Sequence, residues 1–301
     1  MRRVLKWIGI VLGAIVGLIL VVAIGVILYS QLTFKRSYAN RPLYPIVADT
    51  SPEGAARGKY LMEAVMSCDK ACHSEGSAPF AGYVEEINEP PISALFAVPN
   101  LTPDNGTGLG AWSDAEIARA IREGIDKDGT GLVIMPAYSF HRMSDADIAA
   151  VVGYLRSLEP VRNEIPPFQA NLVGKVMMAL GLFGPGSVGE AITGPQDTPT
   201  PGTEEYGEYL VSLGDCRGCH GAELNGGTSG FVGYSPNLTP GGALADWSEA
   251  DFVTLIQTGV TPDSRRLSEG MPWEAYSDIS EEDLKAMFLY LKSLPALEMG
   301  K

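Results

Sequence analysis

Basic residues, histidines and cysteines are scarce in this sequence. Its 301 residues include 22 lysines and arginines against 36 aspartates and glutamates, a formal net charge of -14. This deficit of positive charge disfavours binding to nucleic acid and suits a soluble surface that meets a basic partner. Outside the cysteine motifs described below, the chain has no nucleotide-binding loop, no activated nucleophile and no base placed beside a metal site.

No stretch shows the sustained alternation of apolar and polar residues that is typical of strands. The sequence therefore predicts an all-α fold. Its 35 glycines and 21 prolines are many for a helical protein, so we expect long irregular loops around short helices. A chain of this length fits a membrane anchor and two domains of ordinary size.

The N-terminus carries an uncharged, almost wholly apolar run from Trp7 to Tyr29. Such a run is long enough to cross a bilayer as a helix and longer than the apolar region of an ordinary signal peptide; a cleaved signal peptide is the alternative. We expect residues 1–30 to form a retained membrane anchor.

Every cysteine belongs to a pair that is followed directly by a histidine. Cys216 and Cys219, before His220, match C-x-x-C-H, the attachment signature of c-type haem. Two thiols join such a haem covalently, and the adjacent histidine ligates its iron. Cys68 and Cys72, before His73, form a wider version with three intervening residues. The extra residue must bulge if both thiols are to be attached.

Two other interpretations of the cysteines remain open. A disulfide within either pair would close a small, strained loop and would leave the trailing histidine unexplained. A zinc site could use both pairs together, but each pair begins its own copy of a repeat, which favours separate sites.

The repeat covers most of the chain after the anchor. Asn100-Leu101-Thr102-Pro103 recurs as Asn237-Leu238-Thr239-Pro240, and other pairs recur in the same order: Trp112-Ser113 and Trp247-Ser248, Met135-Pro136 and Met271-Pro272, Tyr154-Leu155 and Tyr290-Leu291. The body is therefore predicted to be a duplicated domain. We expect copies at residues 51–160 and 203–298, joined by a proline-rich connector at 161–202.

Helices are indicated in each copy by a serine three residues before an acid: Ser113 and Glu116, Ser144 and Asp147, Ser248 and Asp251, Ser280 and Asp283. Further helices are expected at 52–66 and 204–213. The last helix of each copy carries an apolar stripe that we assign to the core. Within the connector, the segment 171–183 contains a short apolar run that we expect to be helical. Packing between the domains is its favoured interpretation; lying on the membrane or binding a partner are the alternatives.

A haem that only transfers electrons needs a second axial ligand. Met135 and Met271 stand at equivalent positions before a proline, which stiffens the loop that would hold them at the iron. His141 or Met143 could replace Met135 at the first haem. Trp112 and Trp247 either donate to haem propionates or pack on the ring.

With these motifs, residues 51 to 298 resemble the class I cytochrome c family in tandem, and are similar to the cytochrome c subunits of periplasmic dehydrogenases and to membrane-bound dihaem cytochromes. The resemblance implies two all-helical domains and two covalently bound haem c groups. It implies Cys68, Cys72, Cys216 and Cys219 as attachment residues and His73, Met135, His220 and Met271 as iron ligands. It also places the haem domains of a single-pass inner-membrane protein on the periplasmic side.

The function expected on this basis is electron transfer between a redox donor and an acceptor, such as a membrane dehydrogenase or a terminal oxidase. The alternative is a dihaem redox enzyme, a peroxidase or sulfur-compound oxidase with one reactive haem, and the wide first motif is its best support. A gas sensor with a five-coordinate haem is a third hypothesis.

Overall fold

The computed structural model describes residues 2–74, 78–181, 187–229, 233–268 and 270–300. A long helix α1 (Arg2–Phe34) precedes a body made of two halves. The first half holds α2 (Pro52–Tyr60), β1 (Tyr83–Glu89), β2 (Ile92–Val98), α3 (Asp114–Glu123), α4 (Ala137–Phe140) and α5 (Asp145–Ser157). The connector adds β3 (Gln169–Ala170) and α6 (Leu172–Ala179). The second half holds α7 (Glu204–Leu213), α8 (Cys216–His220), β4 (Gly227–Ser229), β5 (Gly233–Ser235), α9 (Glu249–Thr258) and α10 (Glu281–Ser293).

Helix α1 is almost wholly exposed along its apolar length. Within the described part of the chain it is the one helix that has the length and composition needed to cross a membrane. The predicted apolar run is therefore helical, and it continues past Tyr29 to Phe34.

The core of each half is built where its first and last helices cross at a glycine. A Cβ atom at Gly58 of α2 would lie 2.1 Å from the carbonyl oxygen of Ala150 in α5, and a Cβ atom at Gly207 of α7 would lie 2.0 Å from that of Ala286 in α10. Only glycine allows such close approach of two backbones. The predicted apolar stripes of α5 and α10 pack into this core, with Ile148, Val151, Leu284 and Leu291 fully or almost fully buried.

Two π-helical turns explain why the first half is longer between its glycine and its histidine. Gly58 precedes His73 by 15 positions, whereas Gly207 precedes His220 by 13. In the first half the chain forms π turns at Leu61–Val65 and Cys68–His73, while the second motif is the α-helical turn α8. A π turn spans one residue more than an α turn, so each π turn accommodates one of the two extra residues.

The body is mostly helical but not all-α as predicted, because the first half contains a hairpin. Strands β1 and β2 pair antiparallel from Tyr83 opposite Val98 to Glu89 opposite Ile92, and β3 pairs with β2. The second half has a shorter hairpin of β4 and β5. The sequence did not reveal β1 and β2 because neither strand has one consistently buried face; the burial that produces alternation is missing.

All four predicted serines cap helices by accepting a hydrogen bond from the third residue that follows. Complete capping boxes form at Ser113 and at Ser248, where the aspartate serves as well as a glutamate. The carboxylates of Asp147 and Asp283 bind elsewhere, at the junction between the halves.

This junction is built twice from equivalent residues. The hydroxyl of Tyr60 donates to Asp283 (2.6 Å) and accepts from the backbone NH of Ser280 (3.1 Å). The hydroxyl of Tyr209 donates to Asp147 (2.7 Å) and accepts from the NH of Ser144 (3.1 Å). Because each half gives a tyrosine to the helix cap of the other, the halves are related by an approximate twofold axis.

In the described part of the connector, the apolar run lies beside α1 and the hairpin and not between the halves, so that interpretation of the run is wrong. Helix α6 packs against α1 and β2. Phe168, just before β3, stacks on Phe34 at the end of α1 (6.1 Å between ring centroids) and contacts Phe96 of β2 (5.7 Å). Residues 182–186, the end of the predicted apolar run and the segment after it, lie outside the described residues.

Candidate functional site

Each cysteine motif begins at a non-glycine residue in the left-handed region of the backbone. Ser67 (φ 49°) precedes Cys68, and Asp215 (φ 50°) precedes Cys216. This conformation is uncommon for such residues, and its occurrence at both motifs shows that the chain turns in the same way before the π turn and before α8. In both motifs the first cysteine is more buried than the second, which is exposed.

The two histidines have matching surroundings. Nδ1 of His73 lies 3.2 Å from the carbonyl oxygen of Pro99, and Nδ1 of His220 lies 2.8 Å from that of Pro236. Both side chains are buried. Burial lowers the pKa of His73 to about 4 and also lowers the pKa of His220. Each ring is therefore neutral at pH 7, with its proton on Nδ1 facing the carbonyl, and Nε2 keeps a lone pair for a metal.

The repeated Asn-Leu-Thr segments hold the loops that supply these carbonyl groups. Asn100 accepts from the NH and hydroxyl of Thr102 and donates to the carbonyl of Val161 (2.7 Å). Asn237 makes the same bonds to Thr239 and to Leu297 (2.8 Å). Each loop is thus tied to the chain after the last helix of its half, which fixes the proline behind the histidine.

Both Met-Pro segments adopt one backbone conformation. The NH of the residue after proline bonds to the methionine carbonyl at 2.8 Å in each case, and Pro136 (φ -78°, ψ 55°) matches Pro272 (φ -77°, ψ 58°). These are inverse γ-turns. Met135 and Met271 are partly buried against the core, as are Trp112 and Trp247.

The two alternative ligands at the first site have other roles in the structure. Met143 is fully buried in the core. Nδ1 of His141 lies 3.0 Å from the carbonyl oxygen of Arg122.

The two cysteine motifs adjoin each other across the junction. Asp215, beside the second motif, accepts a hydrogen bond from Ser139 of the first half (2.5 Å) and lies 3.5 Å from the hydroxyl of Tyr138. Cys72 reaches the surface, but partial desolvation by the residues around its thiol, together with the nearby charge of Asp215, raises the pKa of that thiol. The exposed edge of the first motif therefore lies close to the start of the second.

The four thiols are not joined as disulfides and are protonated at neutral pH. All four cysteines are free in the structure. Burial raises the pKa of Cys68 and raises that of Cys216 to about 12, so neither is a thiolate at neutral pH. Across the described residues, no three histidine, cysteine or acidic side chains converge as a metal site would require. The disulfide interpretation is thus wrong, and the geometry offers no support for a shared zinc site.

The buried, carbonyl-oriented histidines fit a haem iron. A metal-bound histidine is neutral and donates its other NH to a carbonyl or carboxylate. His73 and His220 have this protonation state and this hydrogen bond through Nδ1. The neighbouring thiols are protonated and lie on the same turn as the histidine, where a haem edge would meet them.

Sequence reasoning missed the residues that join the halves. Tyr60 and Tyr209 occupy equivalent positions in the two copies, in Gly58-Lys59-Tyr60-Leu61 and Gly207-Glu208-Tyr209-Leu210, and the sequence alone indicates Asp147 and Asp283 only as parts of helix caps. Repetition gave the signal that these residues matter, but pairing across the junction depends on how the halves pack.

Comparisons with known proteins match both halves. A family model described as cytochrome c matches residues 55–159, and one described as cytochrome c oxidase, cbb3-type, subunit III matches residues 199–291. A dihaem cytochrome c-type protein of Cereibacter sphaeroides is 30% identical over 224 residues, which cover 67% of this chain and 73% of that protein.

Two dehydrogenase subunits are also similar. The cytochrome c subunit of a quinone-dependent alcohol dehydrogenase from Gluconobacter oxydans is 31% identical over 81% of this chain and 55% of its own length. The cytochrome c subunit of gluconate 2-dehydrogenase from Pantoea cypripedii is 30% identical over 81% of this chain and 60% of its own length. The chain thus spans little more than half the length of these curated relatives.

Proposed function

Since this chain belongs to the cytochrome c family, we propose that it carries two covalently bound haem c groups and passes electrons through them between a membrane donor and a periplasmic or membrane acceptor. Haem iron, when bound, supplies reversible one-electron transfer. Cys68 and Cys72 hold one haem, and Cys216 and Cys219 hold the other.

The observation that carries this proposal is the matched environment of His73 and His220. Both rings are buried, neutral and oriented through Nδ1 toward a proline carbonyl. The bond fixes the tautomer and directs Nε2 away from the loop, so each half offers one proximal iron ligand in the same state. The wide first motif does not disturb this arrangement, because its π turn accommodates the extra residue.

Met135 and Met271 are the proposed distal ligands. Their shared γ-turn and partial burial suit a weak ligand that the loop must hold in place. A thioether ligand raises the reduction potential relative to a second imidazole. Closing both irons in this way favours electron transfer over chemistry on a bound substrate.

The junction between the halves suits transfer from one haem to the other. The two attachment motifs approach each other there, since Asp215, directly before Cys216, lies near Cys72 and accepts a hydrogen bond from Ser139 of the first half; both haems would therefore be held beside this junction. Tyr60 and Tyr209 hold the two halves in register there. The order of the two transfers depends on the potentials that burial and nearby charge produce at each iron.

For localisation, we propose a single membrane pass by α1 in the inner membrane, with both haem domains in the periplasm. The partners are then redox proteins: a membrane dehydrogenase as donor, as suggested by the relatives that are dehydrogenase cytochrome subunits, and a terminal oxidase or another carrier as acceptor. The net charge of -14 favours a basic docking surface on one of these partners.

The decisive test is haem content in detergent-extracted protein. We expect two haems per chain that acid-acetone does not remove, measured by the alkaline pyridine haemochrome spectrum. Replacing Cys68→Ala leaves one vinyl group conjugated with the ring at the first site, which shifts part of the α band to longer wavelength, and the matched change Cys216→Ala does the same at the second. One covalent haem per chain, or a spectrum unchanged by Cys68→Ala, would contradict the proposal.

Carbon monoxide distinguishes the carrier from the dihaem enzyme. The reduced protein is expected to bind none at neutral pH, because a methionine closes each iron. Met135→Ala and Met271→Ala should each open one iron and bind one equivalent. Binding by the unmodified protein would instead favour an enzyme with one reactive haem.

A further inference from the structure

We propose that α6 lies in the outer interfacial layer of the membrane and contacts lipid, so that the first half is attached to the bilayer through two helices and not only through α1. This inference depends on the proposed membrane crossing of α1, and it adds a lipid-binding surface that lies outside the haem sites.

The position of α1 sets the depth of α6. The uncharged run from Trp7 to Tyr29 measures about 35 Å as a helix, which fills a hydrocarbon core of about 30 Å. The last turns of α1 then lie at the outer interface, and Lys35 and Arg36 reach the headgroups. Ser30 in these turns is completely buried, and α6 packs against α1. Since α6 is in contact with α1, it shares this depth.

The side chains of α6 match the interface. It carries one charge, Lys175, in a sequence that is otherwise apolar or small. Leu172 is 46% exposed, Val173 39% and Leu180, at the C-terminal end, 51%. Helix α6 packs against α1, and the last turns of α1 also expose large apolar side chains, with Leu28 57% and Leu32 70% exposed. Apolar side chains exposed on a helix that packs against a membrane-spanning segment are best covered by lipid.

The attachment of α6 to the first half is rigid. Asn171 caps α6, donates to the carbonyl of Pro91 (2.9 Å) at the end of the hairpin, and its own NH bonds to Ser93 (2.9 Å). The contacts of Phe168 with Phe34 and Phe96 join the hairpin to α1. A helix held in this way fixes the orientation of the first half relative to the membrane.

The longer hairpin of the first half supports this attachment of α6 and α1. His73 and Asn100 are 27 positions apart, whereas His220 and Asn237 are 17 apart. The additional residues lengthen β1 and β2 to seven residues each, against three for β4 and β5. The approximate symmetry of the two halves is thus broken on the side where the first half meets α1 and α6.

The test places a fluorescent probe on the full-length haem-loaded protein in lipid nanodiscs. Leu172→Cys and Leu180→Cys are labelled with the environment-sensitive dye NBD, with the unsubstituted protein labelled in parallel to measure reaction at native cysteines. Leu289→Cys on α10, 47% exposed and in the second half, is the matched control in water. Leu20→Cys marks the centre of α1. Lipids carrying a doxyl quencher near the acyl carbonyl report contact.

We expect blue-shifted emission and at least twofold quenching at positions 172 and 180, and emission typical of water without quenching at 289. Water-like, unquenched signals at both α6 positions would overturn the inference. Quenching at position 20 by a lipid with a deep doxyl group would show, in that case, that α1 still crosses the membrane. If position 20 also stays unquenched, the result contradicts the proposed membrane crossing by α1 and therefore also the inference about α6.

Discussion

The tyrosine contacts at the junction predict an unequal response to two equivalent substitutions. Tyr209 is 6% exposed, and burial raises the pKa of its hydroxyl, which therefore remains a donor. Tyr209→Phe removes a bond to the carboxylate of Asp147 and leaves the buried NH of Ser144 without this partner. A hydrogen bond to a charged group contributes about 1.5–3 kcal/mol, and an unsatisfied buried donor costs about 1–3 kcal/mol.

Part of this loss is offset at Asp147. Its carboxylate keeps both bonds from Arg57, at 2.8 and 2.9 Å. We therefore expect Tyr209→Phe to lower the free energy of unfolding by about 2–4 kcal/mol. Tyr60 is only half-buried, so water can replace its lost bonds, and Tyr60→Phe should cost about 1–2 kcal/mol.

Urea unfolding of the haem-loaded protein in detergent, followed by tryptophan fluorescence, measures this difference. Tyr138→Phe is the control, because its hydroxyl is 3.5 Å from its acceptor and its side chain is 38% exposed; we expect a change within about 0.5 kcal/mol. The slope of the transition should stay constant while the midpoint falls. If Tyr209→Phe costs no more than Tyr138→Phe, the halves are not held by these bonds in solution.

Four further changes test the second half by the same unfolding measurement. Asn237→Ala removes three hydrogen bonds behind the histidine loop and should cost about 2–4 kcal/mol, and a loss below 1 kcal/mol would mean that the loop is held by other contacts. Gly207→Ala places a methyl group against Ala286 and should cost at least about 1–3 kcal/mol by separating α7 from α10; a neutral result would show that the helices cross less closely. Ser248→Ala should cost about 1 kcal/mol through the lost helix cap. The cap also depends on pH, because the hydrogen bonds with Ser248 lower the pKa of Asp251 from 3.8. The contribution of Asp251 to stability is therefore complete above pH 3.8 and is lost as the pH falls through the lower pKa of the folded state. Asp251→Asn should flatten the dependence of stability on pH below about pH 4, and an unchanged dependence would contradict this assignment.

Local sequence patterns identified the helices and their first residues, because helix formation and capping depend on residues that are neighbours in the sequence. The serines at 113, 144, 248 and 280 cap the helices that the sequence predicts. The stripes of α5 and α10 are buried as expected, since an apolar face repeating every three or four residues has no other stable place. The repeat predicted two copies, each with its own cysteine motif, and the comparisons match a cytochrome family model to each half.

The hairpin and the position of the connector helix were mispredicted for a common reason. Strands β1 and β2 are recognised by their pairing, because neither has a consistently buried face, and pairing is a relation between distant residues that a period in one segment does not record. The apolar run of α6 predicts that one face of this helix is buried. Composition does not predict whether that face packs at a domain interface or against α1.

What the sequence determined by itself was the chemistry and its repetition: two cysteine pairs each followed by histidine, one methionine before proline in each copy, and an apolar run long enough to span a bilayer. Tertiary structure decided how these parts are used. The π turn accommodated the extra residue between Cys68 and His73, the acids of two helix caps were engaged by tyrosines of the opposite half, and α6 was placed beside α1. These outcomes depend on contacts between residues far apart in the chain, whose free energies are set by packing and burial and not by the identity of adjacent residues.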